Sequence, residues 1–194
     1  YVATGMNLVK AIDAVTGKIK WEYDPHTGEK AGNKLRSNWG TRGLSYWDGK
    51  IYIGTVDGRL IAIEAATGKE LWSQLTVGPG DGRYISGAPR IFDGKIIIGH
   101  GGADSSNNRG YVTTYNAETG KQLWRFDPKT NRDYGKLACC DIVTRGVAAW
   151  KGRIYLATLD GRLIALDAKS GKRVWSVDTF EKSWPYTTTG APRV

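Results

Sequence analysis

The chain has 194 residues, 40% of them hydrophobic and 11% aromatic, which is ample for a packed core. No stretch approaches the ~20 apolar residues of a transmembrane helix, and no signal peptide is visible, which fits a cytosolic, a mature or a partial chain. The net charge of +9 is scattered through turns (Lys18, Lys50, Arg59, Lys69, Lys95, Lys121, Lys172), as in a solvated rim or a docking face for an acidic partner, and the lack of helix-turn-helix, zinc-finger or RNP-type patterns argues against nucleic acid.

In chain order, four copies of one pattern follow: AIDAVTGKIKW (Ala11 to Trp21), AIEAATGKELW (Ala62 to Trp72), TYNAETGKQLW (Thr114 to Trp124) and ALDAKSGKRVW (Ala165 to Trp175). The closing tryptophans stand 51, 52 and 51 residues apart. A fixed period of this size marks stacked repeats, because one repeat cannot bury its own apolar faces. Repeat units are expected near 1–26, 40–76, 84–127 and 143–179, with 187–194 starting another, all in a single partial domain. The chain begins inside one repeat and stops on what reads as the first strand of the next, as a fragment would.

The second unit shows the strand pattern most clearly. Residues 42–47 form an apolar, aromatic run, and Asp48-Gly49 turns the chain. KIYIGT (50–55) reads as a strand, Asp57-Gly58 as a turn, RLIAIE (59–64) as a third strand, Thr67-Gly68-Lys69 as a turn and residues 71–76 as a fourth strand. Asp-Gly between apolar runs predicts a type I′ hairpin, which needs positive φ at both central residues. Ile61 and Ile63 point to one face, Leu60 and Ala62 to the other, so the sheet is covered on both sides. The fold predicted is all-β: a β-propeller of four-stranded antiparallel blades, about four in number, with the tryptophans wedged between blades. The chain also repeats at an offset of 103, residues 42–91 answering 145–194 as a duplicated blade pair would.

Few residues carry chemistry. Gly99-His100-Gly101-Gly102-Ala103-Asp104 follows the strand KIIIG; its glycines either let backbone approach a flat ligand or make an ordinary propeller loop, and Asp104 is a candidate hard-cation ligand. Cys139 and Cys140 are adjacent, and so form either a strained, labile disulfide or two buried thiols. No Cys/His metal spacing exists, and His26 and His100 are isolated. Arg42 and Arg145 open equivalent strands in Thr-Arg-Gly, where each can meet an anionic ligand near the axis or bridge blades.

The repeated AxDxxTGKxxW motif resembles the tryptophan-docking motif of quinoprotein alcohol dehydrogenases. KLACCDIVTRGVAAWKGRIYLATLDGRLIALDAKSGKRVWSVDT is similar to their second-blade region, and TTTGAPRV and GHGGADSSNNRGYV also resemble theirs. The resemblance implies half of an eight-bladed propeller that holds pyrroloquinoline quinone (PQQ) on its axis. It implies that Cys139 and Cys140 form a vicinal disulfide against the PQQ ring, that Arg145 contacts the quinone oxygens, and that Thr189 contacts PQQ. Gly101, Gly102 and Ala103 would line the cofactor, and Asp104 would ligate calcium or a lanthanide. The metal would act as a Lewis acid, a catalytic aspartate not identifiable in this chain would take the alcohol proton, and a cytochrome c would accept the electrons. A periplasmic location and a small primary alcohol substrate are likewise implied.

The chain departs from the family pattern in four ways, the first being that its earlier copy has Ser37-Asn38 where the later one has Cys139-Cys140. Asp104 stands where the family has glutamate, Thr41 and Thr144 stand where it has asparagine, and the GGAD loop precedes Cys139 instead of following it. The alternatives are a non-catalytic propeller scaffold, such as the outer-membrane assembly lipoproteins that share the tryptophan repeat, and a recombined half-propeller whose two open faces are closed in a homodimer.

Overall fold

The computed structural model describes residues 1–36, 40–103, 107–138, 142 and 144–194. Four antiparallel sheets follow one another along the chain, each with its strands in sequence order. The first has three strands: β1 (Val2–Ala3), β2 (Val9–Ile12) and β3 (Ile19–Tyr23). The second has β4 (Ser45–Trp47), β5 (Lys50–Gly54), β6 (Arg59–Glu64) and β7 (Glu70–Leu75). The third has β8 (Arg90–Phe92), β9 (Lys95–Gly99), β10 (Val112–Asn116) and β11 (Gln122–Phe126). The fourth has β12 (Val147–Trp150), β13 (Arg153–Ala157), β14 (Arg162–Asp167) and β15 (Arg173–Asp178). These are propeller blades, and they cover part of a propeller.

The core lies between blades. Val9 of the first blade packs with Ile51, Ile53, Ile61 and Ile63 of the second. Tyr52, Leu60 and Ala62 on that blade's other face pack with Ile85, Ile96, Ile98 and Tyr115 of the third. Ile97, Val112 and Trp124 of the third pack with Ile154, Leu156, Ile164 and Leu166 of the fourth. The two-sided apolar pattern of RLIAIE thus follows from its having a blade on each side.

Each of the first three motif tryptophans is fixed by the repeat after its own. The indole N–H of Trp21, Trp72 and Trp124 donates to the carbonyls of Ala65, Ala117 and Ala168 at 3.1, 3.2 and 3.1 Å. The ring lies flat on the glycine of that repeat's Thr-Gly or Ser-Gly turn. A methyl group at Gly68, Gly120 or Gly171 would lie 2.7, 2.7 or 2.5 Å from the indole, and each glycine has positive φ (79°, 68° and 69°). The glycine therefore does two things, turning the chain and leaving room for the preceding blade's tryptophan. Gly120→Ala is expected to cost about 2 kcal/mol or more, from left-handed strain plus the indole contact, seen as a lowered denaturation midpoint; an unchanged midpoint would contradict this packing.

The turn chemistry follows the sequence at one hairpin and departs from it at another. Asp48 (φ 47°) and Gly49 (φ 72°) both have the positive φ of a type I′ turn. Asp57-Gly58 does not, because only Gly58 is left-handed (φ 92°). The Asp57 carboxylate takes the Thr55 hydroxyl and pairs with Arg59, and Thr55 N–H donates to the Arg59 carbonyl at 2.9 Å. This closes a wider loop and leaves Arg59 free to donate to the Pro25 carbonyl at 2.6 Å. Residues 187–194 pair with no strand among the described residues. They run beside the fourth blade, Thr188 N–H donating to Leu159 O at 3.2 Å.

Candidate functional site

In a four-stranded antiparallel blade, the loop entering the first strand and the loop joining the second and third strands emerge at the same end. The hydrogen bonds among these loops show that end. Ile85 N–H donates to Thr55 O (3.2 Å), Gly101 N–H to Tyr84 O (2.9 Å) and Arg145 N–H to Thr189 O (3.0 Å). All the candidate site residues described in the structure belong to these loops.

Arg145 and Thr189 are brought together, although 44 residues separate them. Arg42 and Ser86 repeat the arrangement one blade pair earlier, with Arg42 N–H donating to Ser86 O at 2.7 Å. Neither arginine opens a strand, since β4 begins at Ser45 and β12 at Val147. Gly43 and Gly146 intervene with φ of 136° and 142°, and their Cα atoms pack closely on Ala88 and Ala191 of the Gly-Ala-Pro segments. The two guanidinium groups differ. Arg42 Nη1 donates to the Ser86 hydroxyl at 2.8 Å, so this side chain bridges neighbouring blades. Arg145 is exposed, and its side chain has no partner among the described residues. A cavity of about 630 Å³ continues from this pair along the inner strands, lined by Arg90–Phe92, Val147–Ala149 and residues 190–194.

The glycine loop is used differently from a ligand cradle. A side chain at Gly101 would lie 2.7 Å from the Tyr84 ring, and one at Gly102 (φ 117°) would lie 3.0 Å from the Gly82 carbonyl. The close approach that these glycines permit is therefore to the chain's own segment 82–84, with Ala103 buried behind them. His100, just before, is buried, 4.3 Å from the Tyr111 ring and 2.9 Å from the Thr76 hydroxyl through Nε2. Burial drives its pKa down to about 4, with the Tyr111 backbone opposing and the nearby Arg83 and Arg125 adding to the shift. Cys139, Cys140 and Asp104 lie outside the described residues. Among the described residues no group of three His, Cys, Asp or Glu is placed to hold a metal ion.

Sequence reasoning missed a cationic stack at this end. The Arg125 guanidinium lies 3.6 Å and that of Arg83 5.0 Å from the Tyr111 ring centre, and Arg83 also pairs with Asp81 at 2.7 Å. It also missed the Asp160–Arg162 pair (2.8 Å), which anchors the Pro128 carbonyl. Burial pushes the Asp160 carboxyl up, but hydrogen bonds from Arg162 and Thr158 outweigh it and hold the pKa below the ordinary range. The local signal for the pair is the repeated Thr-x-Asp-Gly-Arg; the stack has none, because Arg83, Tyr111 and Arg125 come from segments far apart in sequence, Arg125 from β11.

The sequence matches the protein family described as "PQQ: Glucose/ethanol/alcohol dehydrogenase, beta-propeller domain" over residues 1–150 and again over 105–181. The chain belongs to this family. The overlap of the two matches agrees with an internally duplicated propeller segment. The quinone alcohol dehydrogenase subunit of Gluconobacter oxydans (strain 621H) is 32% identical over 241 positions, covering 97% of this chain and 32% of the relative. The quinohemoprotein alcohol dehydrogenase of Comamonas testosteroni is 48% identical over 127 residues, covering 65% and 18%. The crystal structure of the Comamonas testosteroni enzyme superposes with a TM-score of 0.77 at 33% identity, over 98% of this chain and 35% of that one. A europium-containing methanol dehydrogenase shares the fold, with a TM-score of 0.74 at 24% identity, over 96% and 41%. The chain thus spans a third or less of the length of these curated relatives.

Proposed function

We propose that this chain forms the cofactor-facing part of the propeller of a PQQ-dependent alcohol dehydrogenase. The observation that carries the reading is the Arg145–Thr189 backbone pairing, which presents an exposed guanidinium, without a partner among the described residues, at the loop end, shortly after Cys139-Cys140 in sequence. PQQ is planar and bears carboxylates, so an exposed cation beside a threonine fits it. Gly101 and Gly102 fit it less well, because segment 82–84 already fills the space they leave.

When bound, PQQ supplies a quinone carbonyl that accepts hydride from an alcohol carbon. The chain's own contribution is binding and orientation. Arg145 would donate hydrogen bonds to anionic oxygens, Thr189 would add a hydroxyl, and a Cys139-Cys140 disulfide, if formed as the resemblance implies, would give a flat surface. Asp104 would ligate calcium or a lanthanide. His100 is buried and weakly basic, which makes it a poor proton acceptor from the alcohol, and the resemblance gives that role to an aspartate not identifiable in this chain. The chain alone is therefore expected to bind but not turn over, and a cytochrome c would take the electrons in the whole enzyme. A curated relative from Thauera butanivorans is named 1-butanol dehydrogenase (cytochrome c), which supports that acceptor and a small alcohol substrate. The disulfide favours an oxidising compartment, here the periplasm; free thiols in chain isolated without reductant would count against both.

The test is a PQQ titration with calcium or lanthanum, followed by tryptophan fluorescence. Saturable quenching is expected, lost on disulfide reduction. Arg145→Ala should weaken binding about tenfold or more, the size of a lost charge-assisted hydrogen bond, and Arg42→Ala should leave it unchanged. The packed glycine loop favours a second reading, a non-catalytic scaffold; absence of quenching with either metal would establish that reading and overturn the first.

A further inference from the structure

One lysine is set apart from the others by its surroundings. Lys10, Lys20, Lys50, Lys95, Lys136 and Lys182 are ion-paired. The remaining lysines stand exposed to water, with one exception. Lys34, in the short 3-10 helix Gly32–Arg36 that precedes the second blade, is half-buried and has no ion pair among the described residues. Its Nζ donates to the Asp57 carbonyl at 3.2 Å. Two carboxylates face it, Asp57 and Asp81, and arginines already hold both: Arg59 pairs with Asp57, and Arg83 with Asp81 at 2.7 Å. The ammonium is thus partly removed from water without a counter-ion of its own, which disfavours its charge. Burial accordingly pushes the Lys34 pKa below the ordinary lysine range, against the opposing pull of Asp81 and Asp57.

The fourth blade supplies an internal comparison. Asp160 takes the place of Asp57 in its Thr-x-Asp-Gly-Arg loop, and its carbonyl also receives a lysine, Lys182. Lys182, however, is exposed and pairs with Asp178 at 2.9 Å. Two lysines therefore cap equivalent carbonyls, and only Lys34 does so without a carboxylate of its own. Approach to the Lys34 Nζ is not blocked from Gly58, where a side-chain carbon would lie 3.5 Å from it. Leu35 and Val56, the sequence neighbours of Lys34 and Asp57, pack with Ala31 and Tyr84 into a small apolar cluster. Tyr84 also packs against Gly101, and the Asp57 loop opens at the same end of the blades as Arg145 and Thr189.

We infer that Lys34 is a reactive amine that captures a small aldehyde as an imine. An aldehyde is the product class of the alcohol oxidation proposed above, at this same end of the blades; that source rests on the proposed function, and the reactivity of the amine does not. The ammonium gives one proton to water, the Nζ lone pair forms a bond to the carbonyl carbon, and the carbonyl oxygen leaves as water. No electrons are exchanged, and hydrolysis returns the amine and the aldehyde. A lysine is suited to this because, unlike arginine, it gives up its proton readily once it is withdrawn from water.

The test treats the purified chain with propanal at neutral pH in the presence of cyanoborohydride, which reduces an imine to a stable secondary amine. Peptide mass mapping over time then reads each lysine separately, with the α-amino group of Tyr1 on its own peptide. Lys34 is expected to be labelled severalfold faster than Lys182 and than every exposed lysine. Dilution before the reductant is added should leave Lys34 unlabelled, because the imine hydrolyses. Lys34→Arg keeps a cation and a donor for the Asp57 carbonyl but no nucleophile, so it should remove the fast phase and leave the slow labelling of the other lysines unchanged. Circular dichroism of the variant keeps unfolding separate from loss of the amine. Labelling of Lys34 no faster than that of Lys182, a label that survives dilution, or a fast phase that persists in Lys34→Arg would each overturn the inference. Because propanal is added directly, a failed PQQ titration would remove only the source of the aldehyde, and a failure of selective labelling would leave the cofactor reading intact.

Discussion

Trp124→Ala is expected to destabilise the chain by about 3–5 kcal/mol, the range for deleting a large buried aromatic side chain. Three observations set the upper part of that range. The indole is 7% exposed and sits inside the cluster joining the third and fourth blades. It packs directly on Gly171, which has no side chain of its own to occupy the space the indole would leave. Its N–H satisfies the Ala168 carbonyl, which would be left buried without that donor. Trp124→Phe separates these effects: it keeps most of the buried area, loses the hydrogen bond, and should cost about 1–2 kcal/mol. Because the third junction is chiefly this cluster, alanine should also uncouple the fourth blade, splitting one denaturation transition into two. Equilibrium denaturant unfolding reads both quantities, and a loss below about 1 kcal/mol with one sharp transition would contradict the wedge role.

The periodicity of the tryptophans made the blade legible, because the interactions that define a blade are local hairpins with strong turn signals. Asp48-Gly49 and the Thr-Gly turns are read directly from neighbouring residues. The docking partner of each tryptophan was not legible: the acceptor of Trp72 is Ala117, 45 residues on, and nothing in AIEAATGKELW states whether the next repeat packs on its left or right. The same limit explains the Asp57 turn. Asp-Gly predicts type I′ in isolation, but Arg59 and Thr55 both bind the Asp57 carboxylate and reshape the loop. It also explains the glycine loop, where a glycine-rich run signals close approach but not what approaches; here it is Tyr84 and Gly82. The Thr-Arg-Gly repeat and the resemblance point to Arg145, the resemblance alone to Thr189, and a backbone hydrogen bond brings the two positions together. Cys139, Cys140 and Asp104 depend on the resemblance alone.

Acidification between about pH 6.5 and pH 4 is expected to remove about 3 kcal/mol of stability, and His100 is the reason. Its pKa in the folded chain is about 4, because burial penalises the charged imidazole. The groups around it do not reverse this: the Tyr111 backbone, the next largest influence, and Asp81 favour the charge, Arg83 and Arg125 oppose it, and burial outweighs them. In the unfolded chain the same imidazole takes a proton near pH 6.5. Between those values the unfolded state binds more protons than the folded one, so stability rises with pH across the window and falls as pH drops through it. Below about pH 4 both states are protonated at this site and its contribution is flat. The carboxylates of Asp81 and Asp160, whose folded pKa values are held below the ordinary range, lose their contribution only at lower pH, so the windows separate. Denaturant midpoints at pH 7.5 and 4.5 test this, with His100→Gln as the comparison: glutamine keeps a hydrogen bond to Thr76 but does not titrate. The wild-type chain should lose most of the predicted stability between the two values and the variant little, whatever the variant's starting point. Equal losses in both would assign the acid sensitivity elsewhere. Since His100 immediately precedes Gly101, the same buried, neutral imidazole that rules itself out as a catalytic base also holds the loop leading to Asp104 in place at neutral pH.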